Sequence, residues 1–132
     1  MLLLLPLALA ADPVVHGDTA PAYRILAAKG TAELLLNATT GSPEAALDLL
    51  TLDDGAEATP HVHADSVEIL YILEGRVEMV IGGVPWVAQK GDAVRIEKGV
   101  EHSARVIGSL KAVQVYVVAG PEQRFTAGER VR

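Results

Sequence analysis

The sequence predicts an all-β fold, an antiparallel sandwich or barrel, and two observations support this. From Val67 onward, apolar and polar residues often alternate along short segments, as in strands with one buried and one exposed face. Glycines separate these segments at spacings typical of antiparallel strands, at Gly75, Gly82, Gly91, Gly99 and Gly108. There is no sign of an internal repeat or a second domain. We therefore predict a single domain over residues 12–132, with its barrel core at residues 31–119.

Residues 41–52 carry conflicting signals. Ser42, Pro43 and Glu44 resemble the N-cap and first turn of a helix. The apolar residues that follow also suit a strand, and the family resemblance described below requires one. We therefore predict a strand at residues 46–52.

The segments after Val67 can be assigned individually. Residues 67–73 are largely apolar, which predicts a central strand that is buried on both faces. Residues 76–81 alternate, which predicts a half-exposed strand. Gly82 and Gly83 suit the two-residue turn of a hairpin, because that turn requires positive φ. The return strand is expected at residues 84–89.

His61, His63, Glu68 and His102 form the most informative chemical pattern in the chain. In a strand, residues two apart share a face, with Cα atoms roughly 6–7 Å apart, so His61 and His63 can bind one ion from one side. Glu68 lies an odd number of residues beyond His63, so a turn or bulge through residues 64–66 must redirect it. A buried cluster of these side chains without an ion is the alternative, and it is disfavoured because burying such groups is costly.

The spacing of these residues resembles the first motif of the cupin family, G(X)5HXH(X)4E(X)6G. Gly55, His61, His63, Glu68 and Gly75 reproduce it without a departure. The resemblance implies a double-stranded β-helix, or jelly roll, in a small single-domain metal-binding protein.

The second cupin motif, G(X)5PXG(X)2H(X)3N, maps onto Gly91, Gly99 and His102. Glu97 stands where the family usually has proline, and Val106 where it usually has asparagine. Both departures concern turn and scaffold positions. The resemblance thus implies a metal site formed by three histidines and one glutamate.

Such a site implies one divalent transition metal ion per chain, with iron or manganese favoured over nickel, cobalt, copper or zinc. Because the ligands bind from one side, open positions remain for substrate or O₂. We expect an O₂-dependent, dioxygenase-like oxidoreductase acting on a small organic substrate. A non-catalytic module that binds a small ligand through the metal is the first alternative. A sugar or keto-acid isomerase is the second, with Glu97 and Glu101 as the nearby bases. Oxalate decarboxylation is disfavoured, since Ala58 replaces the arginine that such cupins use.

Gln114 and Tyr116 are the weak candidates for catalytic residues. They lie on the face of their strand opposite Val113, Val115 and Val117, so they either point into the barrel near the metal or form an outward polar face. If they point inward, Tyr116 can donate a hydrogen bond to bound substrate. The rest of the pocket should be apolar, with lining residues such as Leu70, Ile72 and Met79.

Composition narrows the range of partners. The chain has 132 residues, a net charge of −6 and no basic run, which argues against nucleic acid or an anionic membrane and favours a small molecule. The absence of cysteine excludes thiolate ligands and disulfides. Arg95, Glu97 and His16 are expected at the surface. We also expect a homodimer, since barrel edges and an apolar N-terminal segment require covering.

The two ends of the chain carry separate expectations. Residues 1–11 are apolar and end in small residues, as in a secretory signal peptide, although the usual basic start is missing. Secretion or export to the periplasm is therefore favoured over a cytoplasmic location, and an apolar arm is the alternative. Residues 120–132 are expected to form a strap over the barrel mouth or a loose end.

Overall fold

A computed structural model describes residues 11–132, so the apolar segment at residues 1–10 lies outside the described part of the chain. The described residues form eight β-strands and two 3₁₀ helices. The strands are β1 (Ala22–Arg24), β2 (Gly30–Leu36), β3 (Ala46–Leu52), β4 (Glu57–His61), β5 (Val67–Ile81), β6 (Val84–Gln89), β7 (Ala93–Ile96) and β8 (His102–Val117). The 3₁₀ helices are Ala38–Thr40 and Pro121–Ala127. The predicted all-β fold is confirmed.

The long strands β5 and β8 form the central strand pair of the barrel. They pair antiparallel along their whole length, from Val67 opposite Val117 to Ile81 opposite His102. One half of this pair is flanked by β3 and β7, and the other half by β4 and β6. The register shifts between Ile72 and Arg76, and such bulges bend a strand. The same two strands therefore contribute to both sheets of the jelly roll.

Two glycine positions have a clear steric reason. Gly75 has φ +86°, and a Cβ placed on it would lie 1.8 Å from the carbonyl oxygen of Ser109, so only glycine fits at this bend. Gly82 and Gly83 also have positive φ, and they connect Ile81 directly to its partner Val84. The predicted hairpin is confirmed.

The core lies between the two sheets and is aliphatic, including Ala32, Leu34, Leu50, Ile72 and Val77. The predicted alternation in residues 76–81 is confirmed. The prediction that residues 67–73 are buried on both faces is wrong. Leu70 and Ile72 are buried, but Tyr71 between them is 47% exposed. This sheet has one face on the core and one toward solvent, as antiparallel sheets commonly do.

Residues 46–52 form strand β3, as predicted, and the helical signal before it is misleading. A short 3₁₀ helix occurs earlier, where the side chain of Asn37 caps Thr39. Ser42 instead donates a hydrogen bond to the carbonyl of Ala45. Because β3 pairs with both β2 and β8, its backbone is satisfied on both edges, which outweighs local helix propensity.

The C-terminal strap, residues 120–132, covers one end of the barrel. It contains the second 3₁₀ helix, in which Glu122 and Phe125 are buried. Its last residues return to β1, where the N–H of Val131 donates to the carbonyl of Ala22. The strap is therefore packed and not loose. Neither helix in residues 11–132 has the length and apolar character needed to cross a membrane.

Candidate metal centre

The structure brings the three histidines and Glu68 together at one end of the barrel. His61 is the last residue of β4 and His102 is the first of β8; they are opposite each other in the sheet, with ring centroids 4.2 Å apart. Glu68 is the second residue of β5. His63 departs from the expected arrangement, because β4 ends at His61. His63 therefore reaches the site from the turn, not from the strand.

The turn between β4 and β5 redirects Glu68, as the sequence required. Ser66 anchors its end, because the buried hydroxyl donates to the carbonyl of Val118 at 2.6 Å. The carbonyl of His63 accepts a hydrogen bond from the N–H of Gly99 at 2.9 Å. Both contacts tie the turn to segments that are distant in the sequence, so the direction of His63 is fixed by tertiary structure.

The distances between the donor atoms fit a shared ion. One potential ligand atom from each of the four residues lies within 4.8 Å of all the others. Glu68 Oε2 is 3.0 Å from His102 Nε2 and 3.2 Å from His63 Nε2. Two adjacent ligands, each about 2.1 Å from one ion, are about 3.0 Å apart at a right angle. His63 Nε2 is buried and makes no hydrogen bond with any described residue. This cluster could bind a metal ion.

Backbone carbonyls orient two of the imidazoles. His61 Nδ1 lies 2.7 Å from the carbonyl oxygen of Thr59, and His102 Nδ1 lies 2.9 Å from that of Val100. A proton on each Nδ1 satisfies these carbonyls and leaves Nε2 free as a ligand. Sequence reasoning missed this support, because backbone carbonyls carry no side-chain signal.

Gln114 holds the carboxylate. Its Nε2 donates to Glu68 Oε1 at 2.6 Å, and both side chains are buried. Glu68 Oε2 therefore faces the histidines while Oε1 is held by the amide. Of the two orientations that the sequence left open, the structure shows the inward one: Gln114 points into the barrel. The outward alternative is wrong.

Electrostatics favour an ionised Glu68. Burial alone would raise its pKa, but the close contacts with the His102 and His63 imidazoles and the hydrogen bond from Gln114 outweigh burial and hold the pKa well below its usual range. Burial also opposes a charge on His102, yet its contacts with Glu68 and the Val100 carbonyl raise its pKa. Burial lowers the pKa of His61. The neighbouring carboxylate thus favours the protonated form of His102, and a bound ion would compete with that proton for Nε2.

Tyr116 lies beside the cluster and does not line the cavity described below. It is fully buried, and its ring packs edge-on against His63, with centroids 5.1 Å apart. Its hydroxyl accepts a hydrogen bond from Arg124 at 2.9 Å. Burial, followed by the charge of Glu68, raises its pKa far above the usual value, so the phenol stays protonated. These contacts favour a role for Tyr116 in supporting the His63 ring. They do not favour the direct hydrogen bond to substrate that the sequence suggested for an inward-pointing Tyr116.

A cavity of about 70 Å³ adjoins the cluster. His61, Glu68 and His102 form part of its wall, and Gln114 and Arg124 add the other polar groups. The rest is mainly apolar, including Leu50, Leu52, Leu70, Val77, Met79 and Phe125. Leu70 and Met79 line the cavity as predicted, whereas Ile72 is buried in the core beside it. Arg124 and Phe125 come from the strap, and their contribution was not visible in the sequence.

The other predicted polar residues lie away from the cavity. Arg95 and Glu97 form an ion pair at 2.6 Å with side chains 59% and 60% exposed, and the neighbouring arginine lowers the pKa of Glu97. Glu101 and His16 are also exposed. Glu97 and Glu101 are therefore not placed to act as bases in the cavity.

Asp48 is a buried acid that sequence reasoning missed. It is fully buried on β3, opposite Gln114 on β8. In the described part of the chain neither of its carboxyl oxygens has a hydrogen-bond partner, and Gln114 Oε1 has none either. Burial, and then the charge of Glu122, raises the pKa of Asp48 to about 8. Only the alternation along β3 could have indicated that this residue faces inward.

Solved structures with the same fold include several cupins. An RmlC-like cupin from Shewanella frigidimarina NCIMB 400 has a TM-score of 0.73 and 19% identity, covering 86% of this chain and 96% of the other. The polyketide cyclase RemF from Streptomyces resistomycificus has a TM-score of 0.68 and 21% identity, covering 81% and 80%. A predicted oxalate decarboxylase from Thermotoga maritima has a TM-score of 0.67 and 24% identity, covering 80% and 98%. At these identities the likeness concerns the fold.

A comparison with curated proteins found no match. The family model of the cupin domain matches residues 48–119. The match contains all four residues of the cluster, most of strand β3 and all of strands β4 to β8, and it agrees with the architecture described above. The chain therefore belongs to the cupin family.

Proposed function

We propose that this protein is a mononuclear metal-dependent oxidoreductase that uses O₂ to oxidise a small organic substrate. The observation that carries the proposal is that His61, Glu68 and His102 form one wall of an apolar cavity, with His63 beside them. Because these ligands lie on one side, an ion held by them would have coordination positions open toward the cavity. Iron or manganese suits this set of nitrogen and oxygen donors, and such an ion supplies Lewis acidity and redox chemistry.

The protein's own groups have three tasks in this proposal. The carbonyls of Thr59 and Val100 hold two imidazoles in the binding tautomer, and Gln114 fixes the carboxylate. The apolar lining limits access of water to the reacting groups. Three neutral imidazoles and one carboxylate would leave a divalent site with a net charge of about +1, which favours an anionic or enolisable substrate. In an oxidative cleavage of a carbon–carbon bond by O₂, both oxygen atoms enter the products and the substrate supplies all four electrons, so this type of dioxygenase reaction requires no external reductant.

A non-catalytic ligand-binding module is the second candidate, and one observation favours it. Apart from the cluster itself, the cavity-lining residues within 11–132 include no carboxylate, lysine or histidine that could act as a general base. The same observation disfavours an isomerase, which requires such a base. Oxalate decarboxylation is disfavoured too, because Ala58 lines the cavity where that chemistry places an arginine.

Metal content provides the first test. Untagged protein, purified without chelator or nickel resin, is compared by mass spectrometry with His63→Ala and with His16→Ala, which alters an exposed histidine outside the cluster. We expect near-stoichiometric iron or manganese in the wild type and in His16→Ala, and loss of metal in His63→Ala. Zinc alone, or no metal in any sample, would shift the proposal to the binding module.

Oxygen consumption provides the second test. Iron- and manganese-loaded protein is assayed with a panel of small enols, catechols and 2-oxo acids. The proposal expects uptake that depends on the substrate and is lost in His63→Ala with the fold retained. A tightly bound ligand that is recovered unchanged, with no uptake on any compound, would favour the binding module.

Homodimerisation and export remain predictions. Strand β6 ends the sheet order and carries exposed Trp86 and Val87, which are suitable for a protein contact. Light scattering should give twice the mass of one chain. The mass of protein recovered from its native host should show whether the chain begins near Ala11.

A further inference from the structure

Arg124 occupies an unusual position at the mouth of the cavity. It lines the inner cavity beside the cluster, and it also lines the open groove that leads to His61 and His63 from outside. Among the described residues that line the inner cavity, Arg124 is the only charged one outside the cluster. The described lining of the groove includes one other charged residue away from the cluster, Glu57. Any ligand that enters the cavity by this route passes the Arg124 guanidinium.

The guanidinium is fixed but not saturated. It donates to the carbonyl of Pro121 and to the hydroxyl of Tyr116, each at 2.9 Å. Its carbon also lies 4.4 Å from the ring centroid of Phe125. A guanidinium has five N–H donors, so three remain. In residues 11–132 no carboxylate lies within salt-bridge distance of Arg124, although Arg24, Arg95 and Arg132 each have one.

We infer that Arg124 binds the carboxylate of the substrate. The apolar part of the substrate occupies the cavity, and its 2-oxo or 2-hydroxy oxygen faces the metal cluster. The inference rests on the proposed function for the metal end only. A chain of contacts connects the two ends: the ring of Tyr116 lies 5.6 Å from the Arg124 guanidinium carbon and 5.1 Å from the ring of His63. Because a single side chain contacts both Arg124 and His63, the two ends of the site lie close enough for a short molecule.

The chemistry identifies the substrate class as small organic acids with a 2-oxo or 2-hydroxy group and a short apolar chain. A planar guanidinium held by two hydrogen bonds and an aromatic ring is preorganised for a carboxylate. The cavity of about 70 Å³ is smaller than the roughly 150 Å³ that holds a benzene ring, so a bulky tail is excluded. The apolar lining favours burial of a short alkyl group and disfavours burial of a second charged group.

The test compares binding of 2-oxobutanoate and its neutral amide by titration calorimetry, on metal-free and on iron-loaded protein. The variants are Arg124→Gln, which removes the charge, and Arg124→Lys, which keeps the charge without the fork. Arg105→Gln is the matched control, because Arg105 is exposed and lies outside the cavity. We expect Arg124→Gln to weaken binding of the acid by at least about tenfold. The affinity of Arg124→Gln for the amide and its metal content should change less than about twofold, and so should the affinity of the control variant for the acid. Arg124→Lys should bind the acid with intermediate affinity.

The outcomes separate this inference from the proposed function. If the metal is absent but metal-free protein still prefers the acid through Arg124, the inference stands and the proposed function fails. If metal binds but Arg124→Gln holds the acid as tightly as wild type, the inference is wrong and the proposed function is unaffected. Should Arg124→Gln fail to fold, metal-free wild type decides: preference for the acid over the amide supports the inference, and equal affinity overturns it.

Discussion

Replacing Asp48 with asparagine provides a sharp test of how the buried polar network is charged. Asp48 is fully buried, and no group in residues 11–132 donates a hydrogen bond to either carboxyl oxygen. Burial raises its pKa most, the charges of Glu122 and Glu68 raise it further, and Arg124 offsets part of the increase, giving a pKa of about 8. The folded protein therefore keeps a proton at neutral pH that the unfolded chain releases above its ordinary pKa of 3.8.

The sign and size of the effect follow from this difference. Because the folded pKa lies above the unfolded one, the stability linked to this proton is complete below pH 3.8 and is lost as the pH rises to about 8. The loss is about 1.4 kcal/mol for each pH unit, and on the order of 5 kcal/mol over the whole range. Asparagine does not ionise, and its amide can donate to Gln114 Oε1 on the facing strand. Asp48→Asn should therefore lack this loss.

Urea unfolding of metal-free protein at about pH 5, 6.5 and 8 measures the free energy of unfolding of both proteins. We expect the free energy of unfolding of Asp48→Asn, relative to that of the wild type, to increase by about 1.4 kcal/mol for each unit by which the pH rises. The m-values should be unchanged. Asp53→Asn, an exposed carboxylate just beyond β3, should follow the wild type. Parallel curves for wild type and Asp48→Asn would refute the reasoning, since they would show that Asp48 is ionised in the fold.

Three other substitutions test the carboxylate support, the strap and the loop beside the cavity. Gln114→Leu removes the donor to Glu68 Oε1, so metal affinity should fall by roughly 10- to 100-fold in a chelator competition; unchanged affinity would show that the amide does not position the ligand. Phe125→Ala should reduce the free energy of unfolding by about 3 kcal/mol, and a loss under about 1 kcal/mol would mean that the strap is loosely packed. Ala28→Gly, where φ is +64°, should stabilise by about 1 kcal/mol in urea unfolding, whereas Ala93→Gly in strand β7 should destabilise; equal effects would contradict the strained turn.

Much of the fold was predictable because its signals are local. Alternation along residues 76–81 and the Gly82–Gly83 pair needed no knowledge of the partner strands. The motif residues likewise indicated His61, His63, Glu68 and His102 as one site. Their spacing reflects a turn and two strands that lie close together in the barrel, so the pattern can be recognised in the sequence alone.

Other features could not be predicted, because they depend on what packs against a residue. The helical signal at residues 42–44 was outweighed by pairing of β3 on both edges. Alternation in β8 showed that Gln114 and Tyr116 share a face, but not which face is buried, because Val113 and Val115 are equally suitable for a core. The direction of that face was decided by Glu68 and Asp48 on the neighbouring strands.

The sequence by itself determined the all-β fold class, the turns and the identity of the four candidate metal ligands, since each is set by spacing along the chain. The tertiary structure alone decided that His63 reaches the cluster from a turn and that Gln114 holds Glu68. It also decided that Asp48 is buried without a partner and that Arg124 stands at the cavity mouth. These outcomes depend on contacts between residues far apart in the chain, such as Glu68 with Gln114 and Tyr116 with the strap. Their burial and charge exist only once the barrel has closed.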